Sequence, residues 1–385
     1  MNLIPRTSVA GSCVGFIVIG ASQAIYGPLI PFFQAKFSIS PAMAGMSLSS
    51  HFIGALVGVL IFNRLDKLLK NKILISYSYI LISLASFSLA LSSNWNLVLA
   101  SAFFIGIGFG GIDYGVNHLF SKSFTDSGVV MLNFLNAHFG LGAVLAPLLV
   151  GWLGSENYTW IFLAQAIIAA LLLPTLRGIS DAQVDTNQDK TKIFDVNQRI
   201  ASITISFILV YILHVAIETG IGGWEPTHLE LNGYSPQTAV LATSVFWFAL
   251  TLGRFLVVPL GLMFSAATIF TGCCIGMAFC LILAGFSFLA PFAYVGVGLF
   301  IAPIFPTGLV WLKQLLPHAA TPTAYVIASS MLGGVIFPPA IGKLIETLGV
   351  HLVPLVLLVL AIGCILPSLW LGYFAKNNQF IREAK

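Results

Sequence analysis

Charge is what this chain has least of. Of 385 residues, 8% are Asp, Glu, Lys or Arg, against 58% hydrophobic, and the mean hydropathy is +0.97. A water-soluble fold of this length has no interior large enough to hide that much apolar surface, so lipid must be the solvent for most of it. Motifs for chemistry are missing as well. There is no phosphate-cradling Gly-x-x-x-x-Gly-Lys, which argues against an ATP-driven machine. There is no His-Glu-x-x-His for a metal and no Gly-x-Ser-x-Gly for acyl transfer. Neither an enzyme nor a bound cofactor or metal is therefore expected. The five cysteines (Cys13, Cys273, Cys274, Cys280, Cys364) all fall in apolar stretches and read as small hydrophobes, not as disulfides or ligands.

What is present is apolar sequence in lengths of about 20 residues, the thickness of a bilayer written as helix. Spans are predicted at 9–34, 42–62, 73–92, 96–121, 128–152 and 158–176, then at 200–222, 237–260, 264–288, 291–313, 321–345 and 350–374. Barrel strands would alternate over ten residues, and these runs are solidly apolar. The first is too long for a cleaved signal peptide. With alternate loops on opposite sides, Arg6, Arg64, Lys67, Lys70, Lys72, Lys122, Arg177, Lys190, Lys192, Arg199, Arg254, Lys313, Lys376, Arg382 and Lys385 share one side, leaving Lys36 and Lys343 on the other. That bias predicts a multi-pass protein of the cell membrane with both termini cytoplasmic. The net charge of +4 then reports topology, and no nucleic-acid partner is implied.

The polar stretch Gly178–Gln198 divides the chain into predicted bundles 1–177 and 199–385, joined by a cytoplasmic linker at 178–198. The halves echo each other. Phe104-Ile-Gly-Ile-Gly108 answers Tyr294-Val-Gly-Val-Gly298 at an offset of 190. Gly142, Pro147 and Gly151 answer Gly333, Pro338 and Gly342 at 191, and Gly27 and Pro31 answer Gly222 and Pro226 at 195. Two six-helix repeats about an axis along the membrane normal describe a transporter that rocks its halves around a central site.

The basic loop Arg64-Leu-Asp-Lys-Leu-Leu-Lys-Asn-Lys72 resembles that of the major facilitator superfamily, with Leu69 where a glycine is usual. Other stretches resemble the fucose/galactose/glucose symporter branch and its glucose-transporter-like relatives. They are Gly110-Gly-Ile-Asp-Tyr-Gly-Val-Asn117, Asn133-Phe-Leu-Asn-Ala-His-Phe-Gly-Leu-Gly142, Glu218-Thr-Gly-Ile-Gly-Gly-Trp224, Gly253-Arg254 and Ala302-Pro-Ile-Phe-Pro-Thr307. The resemblance implies an all-α membrane protein of twelve helices in two pseudo-symmetric bundles, moving a small polyhydroxylated solute by alternating access.

An ionisable side chain at mid-bilayer costs roughly 2.5–3.5 kcal/mol on insertion scales, so each one requires a reason. Asp113 lies in span four with Asn117 one turn on, a pair found at this place in the family resembled. Glu218 lies in the outer half of span seven, and the 195-residue offset makes Gln23 its counterpart. Glu218 and Gln23 would hold a polyol's hydroxyls across the cavity, or Glu218 would carry a coupling proton; the alternative is a structural polar group. The coupling candidates are Glu218, Asp113 and His138. Symporters of the branch carry a carboxylate in span one that has no match here, which leaves proton, sodium or no coupling ion open. Asn133 and Asn136 are candidates for the cavity wall; relatives show histidine at the place of Asn136, and here it stands two residues on, at His138. Trp224, Trp247, Trp311, Tyr26 and Tyr325 are candidate rings for stacking on a sugar's C–H face. Trp224 is favoured because it lies six residues beyond Glu218 in a Gly-rich turn, and Arg254 reads as a cytoplasmic gate or topology residue.

The expectation is a secondary transporter for a small solute, most simply a monosaccharide. The rivals are an efflux transporter for amphipathic compounds, which the 31 phenylalanines would suit, and a non-transporting receptor or scaffold with the same fold.

Overall fold

A computed structural model describes residues 4–66, 68–124, 128–179, 198–316 and 320–377. The chain forms α1 (Arg6–Ala24), α2 (Tyr26–Phe37), α3 (Pro41–Leu65), α4 (Asn71–Ala90), α5 (Trp95–Ser123), α6 (Gly128–Leu153) and α7 (Tyr158–Leu171). There follow α8 (Gln198–Leu231), α9 (Pro236–Met263), α10 (Ala266–Ala284), α11 (Ala290–Ile301), α12 (Ile304–Leu315), α13 (Ala320–Leu348) and α14 (Val353–Asn377). Among the described residues there is no strand, and twelve helical segments are long and apolar enough to cross a membrane. The protein is a multi-pass membrane protein. Most of the stretch expected to link the halves, residues 180–197, lies outside the described residues.

Fourteen helices make twelve crossings because proline breaks two of them. Pro28 has no N–H for the Ala24 carbonyl, and the first crossing is interrupted at Ile25 between α1 and α2. Pro303 and Pro306 act likewise between α11 and α12. Helix starts are fixed by the side chains of Ser40, Asn94, Ser235 and Ser265, each accepting from the backbone N–H three residues on. The seventh crossing departs from expectation. Gly220, Gly222 and Gly223 do not form a turn, and α8 continues through them to Leu231, nine residues beyond the predicted end.

The two halves meet along three contacts: α2 on α8, α3 on α13 and α6 on α9. A pseudo-two-fold axis exchanges the last two and runs through the first. Gly142 of α6 is pressed on the Ile17 carbonyl, and Gly333 of α13 on that of Ile212, with Ile17 and Ile212 195 residues apart. The same test corrects the register of spans four and ten. Gly106 meets the carbonyl of His51 and Gly298 that of Phe246, again 195 residues apart, so Gly298 answers Gly106 at an offset of 192 and not Gly108 at 190.

Residues equivalent under a two-fold can touch each other only on the axis. Gly27 and Gly222 do so: a Cβ on Gly27 would overlap the Gly222 carbonyl oxygen. From there the halves are sealed toward the face opposite the Arg64–Lys72 loop. Gly45 lies against the Pro338 carbonyl, Ser49 Oγ donates to the Val335 carbonyl at 2.5 Å, and the Ala42 N–H donates to Glu346 Oε1 at 2.9 Å.

Because no side chain fits at the axis, Gly27→Val should destabilise the sealed arrangement by about 1–3 kcal/mol, the usual cost of overpacking. Maleimide labelling of a Ser49→Cys reporter should then quicken several-fold with the helical circular dichroism unchanged. Equal labelling with and without the valine would show that the contact does not hold the seal.

Candidate functional site

One turn below the Gly27–Gly222 contact, the next pair on the axis is polar. Gln23 Nε2 donates to Glu218 Oε1 at 3.2 Å, and both side chains are buried. The pair joins α1 to α8 and thus one half to the other. His214 stands one turn further down α8, its Nε2 3.6 Å from Glu218 Oε2.

Two further charges complete the site. Arg254, on α9, bears electrostatically on both Glu218 and Asp113. Asp113 comes from α5 of the other half and accepts from Asn117 Nδ2 at 3.0 Å. Asp113, Asn117 and Arg254 are only half-buried, whereas Gln23 and Glu218 are nearly sealed. One guanidinium therefore bears on two carboxylates supplied by opposite halves, in a region where a lone ion is costly. With His214 neutral the group carries one excess negative charge and several hydroxyl-binding acceptors.

The aromatic partner at this depth is Trp247 of α9. Its ring edge lies against Gly222, one turn from Glu218, it is buried, and its indole N–H has no hydrogen-bond partner. Trp224 is not with this group. It is fully buried with its indole N–H donating to the Pro338 carbonyl at 2.9 Å, and its ring packs on Gly342. Six residues turn an α-helix through about 240°, so Trp224 faces α13 while Glu218 faces α1. Tyr26 also points elsewhere, its hydroxyl 3.4 Å from His51 Nδ1 on α3. Trp311 packs on Phe207 and Phe270, and Tyr325 is exposed.

On α6, Asn133 and Asn136 share the face of Gly140, which abuts Thr251 of α9, one turn nearer the sealed face than Arg254. Asn136 Nδ2 is turned back to the Leu132 carbonyl at 2.9 Å. His138 Nδ1 lies 2.8 Å from the carbonyl of Phe134 in its own helix, and its ring packs edge-on to Phe134. Both of these partners belong to α6 itself, not to the helices of Glu218 or Asp113.

Residues 12–196 match the family model of the Major Facilitator Superfamily. The glucose/mannose transporter GlcP of Bacillus subtilis is 26% identical over 349 residues, 85% of each chain. The gentisate transporter of Corynebacterium glutamicum is 26% identical over 257 residues, 62% of this chain and 56% of that one. In three dimensions the chain is similar to the xylose transporter XylE from E. coli, with a TM-score of 0.77 at 12% identity over 94% of both chains. It is also similar to the nucleoside transporter NupG, with a TM-score of 0.75 at 17% identity over 98% of this chain and 100% of that one. The chain has the major facilitator fold.

Two further ionisable groups lie inside the helices. Arg254, which reads from the sequence as a cytoplasmic gate or topology residue, is followed by nine residues of α9 and bears electrostatically on Glu218 and Asp113. Its signal was a lone arginine inside an unbroken apolar helix. Glu225 was missed because the seventh span was ended at 222. His51 of α3 is also fully buried, with Nε2 unpartnered.

If Arg254 holds the two carboxylates in place, Arg254→Gln should destabilise the protein by on the order of 1–3 kcal/mol, because it strands charge in an apolar interior. Adding Asp113→Asn should recover part of that loss, since coupled residues are non-additive. Thermal melting of the two single variants and the double variant checks this, and strictly additive shifts would mean that Arg254 and Asp113 do not interact.

Proposed function

We propose that this protein of the major facilitator fold transports a monosaccharide across the cell membrane, with both termini cytoplasmic, by alternating exposure of the Gln23–Glu218 site. The observation that carries the reading is the bond between Gln23 and Glu218. It ties the two halves together on their axis, and its atoms are the kind that sugar hydroxyls satisfy: a carboxylate accepts two or more hydroxyl bonds, and an amide both donates and accepts. A sugar entering between them replaces a direct inter-half contact with a bridged one. Trp247 adds an apolar face and a free indole donor beside the site, in the manner of mostly apolar pockets with a few convergent polar groups. The likeness to GlcP, whose name assigns it glucose and mannose, supports the substrate class.

In this reading the site opens toward the Arg64–Lys72 side, which is cytoplasmic, and the sealed face is external. Asp113, Asn117 and Arg254 are reached from the cytoplasmic side, and Asn133 and Asn136 line the wall on α6.

Tritiated D-glucose and D-mannose uptake into proteoliposomes tests the proposal, with a nucleoside and gentisate as competitors. Hexose uptake that the unlabelled hexoses block and the other two do not is expected. Loss of one hydroxyl–carboxylate bond costs on the order of 1.5–3 kcal/mol, so Glu218→Gln should weaken hexose affinity by roughly tenfold to more than a hundredfold. Gentisate-selective uptake would assign the Arg254 centre to an aromatic acid instead, and hexose uptake indifferent to Glu218→Gln would remove this site.

A further inference from the structure

Glu225 is a third carboxylate in the apolar interior, seven residues beyond Glu218. That spacing puts it on the same face of α8, about 10 Å nearer the sealed end. It is wholly buried, and neither of its oxygens has a hydrogen-bond partner. The Thr243 hydroxyl of α9 is beside it, but that hydroxyl sends its own proton to the Ala239 carbonyl at 3.3 Å. A carboxylate ion held there has no protein donor hydrogen-bonded to it. A carboxylic acid is suited to the same place, because its O–H can donate to the free lone pair of Thr243.

A row of groups leads from Glu225 toward the sealed face. Tyr294 of α11 is electrostatically coupled to it, and the Tyr294 hydroxyl lies 3.1 Å from His228 Nδ1. The turn Val350–Leu352 packs on α8, and its His351 is exposed. The other charges on helices packed against α8 are engaged elsewhere. Arg254 of α9 bears on Glu218 and Asp113, Lys36 of α2 is hydrogen-bonded to the Tyr158 hydroxyl, and Lys343 and Glu346 of α13 pair at 2.8 Å. His51 of α3 faces the Tyr26 hydroxyl, and Arg64 of α3 and Lys313 of α12 stand at the ends of their helices away from the sealed face. Sodium is a poor fit, since Glu225 and Thr243 offer three oxygens where a hard cation takes about six.

We propose that Glu225 is a proton-binding site distinct from the Gln23–Glu218 site, and that α2 closes on α8 at the Gly27–Gly222 contact only when this site is occupied. Gly222 lies one turn from Glu225, so parting the two glycines uncovers the helix face that bears the carboxylate. The proton comes from water at the outer face by way of His228 and Tyr294. It forms an O–H bond on Glu225 as the halves close and returns by the same row when they reopen. The proposal rests on the alternation of the preceding subsection but not on the identity of the solute.

The test reads closure without any solute. A Ser49→Cys reporter, buried between α3 and α13, is labelled with a maleimide in lipid nanodiscs from pH 5.5 to 8.5, with Glu225 intact and as Glu225→Gln. The glutamine variant supplies the intrinsic pH dependence of the thiol. Relative to it, labelling of the chain with Glu225 should rise with pH by up to about tenfold per unit, the limit for one proton linked to one closing step. Glu225→Asp keeps an acid and should keep the response, which separates titration from a merely structural role. Identical profiles with glutamate and glutamine would overturn the proposal, as would a response that follows sodium (exchanged for choline) instead of pH. Because no sugar is present, a failed hexose assay with a retained pH response would sink only the assigned substrate.

Discussion

Everything in this molecule is organised by the place where two backbones touch. Gly27 and Gly222 approach so closely that a methyl group on the first would occupy the carbonyl oxygen of the second. A contact between equivalent residues fixes the pseudo-two-fold axis, and the axis fixes what must follow. The α3–α13 and α6–α9 contacts become copies of one interface, and the side chains one turn away must face each other. Gln23 and Glu218 are those side chains. Their meeting is thus a consequence of packing: no substrate is needed to place them, and none of the other polar groups has to be strained to reach them.

The interior follows the usual economy of membrane proteins, with small residues where helices cross and polar groups paired across them. Gln23, His214, Glu218, Arg254, Asp113 and Asn117 form one connected set in which each carboxylate has a donor or a cation. A set that draws its charges from both halves is sensitive to their relative position. Moving the halves apart separates Gln23 from Glu218 and Asp113 from Arg254 together, so both pairs register the same displacement.

Fold and axis were legible in the sequence because hydropathy and glycine spacing are read out locally. The offset of 195 between spans one and seven reappears as two physical contacts. The register of spans four and ten was not legible: Gly106 and Gly108 are both small, and only packing decides which of them meets α3. The site was legible in part. Gln23 and Glu218 were reached through symmetry, while Trp224 was chosen by proximity in sequence, which ignores the direction a helix turns. Arg254 reads from the sequence as a gate or topology residue, and what that reading leaves out is its place inside α9, where it bears electrostatically on carboxylates of two other helices. Glu225 was lost to the habit of reading Gly-Gly as a turn, when here the glycines serve backbone contact inside a continuous helix.

The scaffold is symmetric but its charges are not. Under the 195-residue relation, Glu218 corresponds to Gln23, Glu225 to Ile30 and Arg254 to Val59. The axis lies along the membrane normal, so it equates the two inter-half interfaces with each other and does not relate one membrane face to the other. At these three positions the charge that distinguishes the halves is carried by the C-terminal one. Glu218 and Arg254 compensate each other and report on what lies between the halves. Glu225 has no compensating partner among the described residues, so its burial is paid for only in a state that leaves it uncharged.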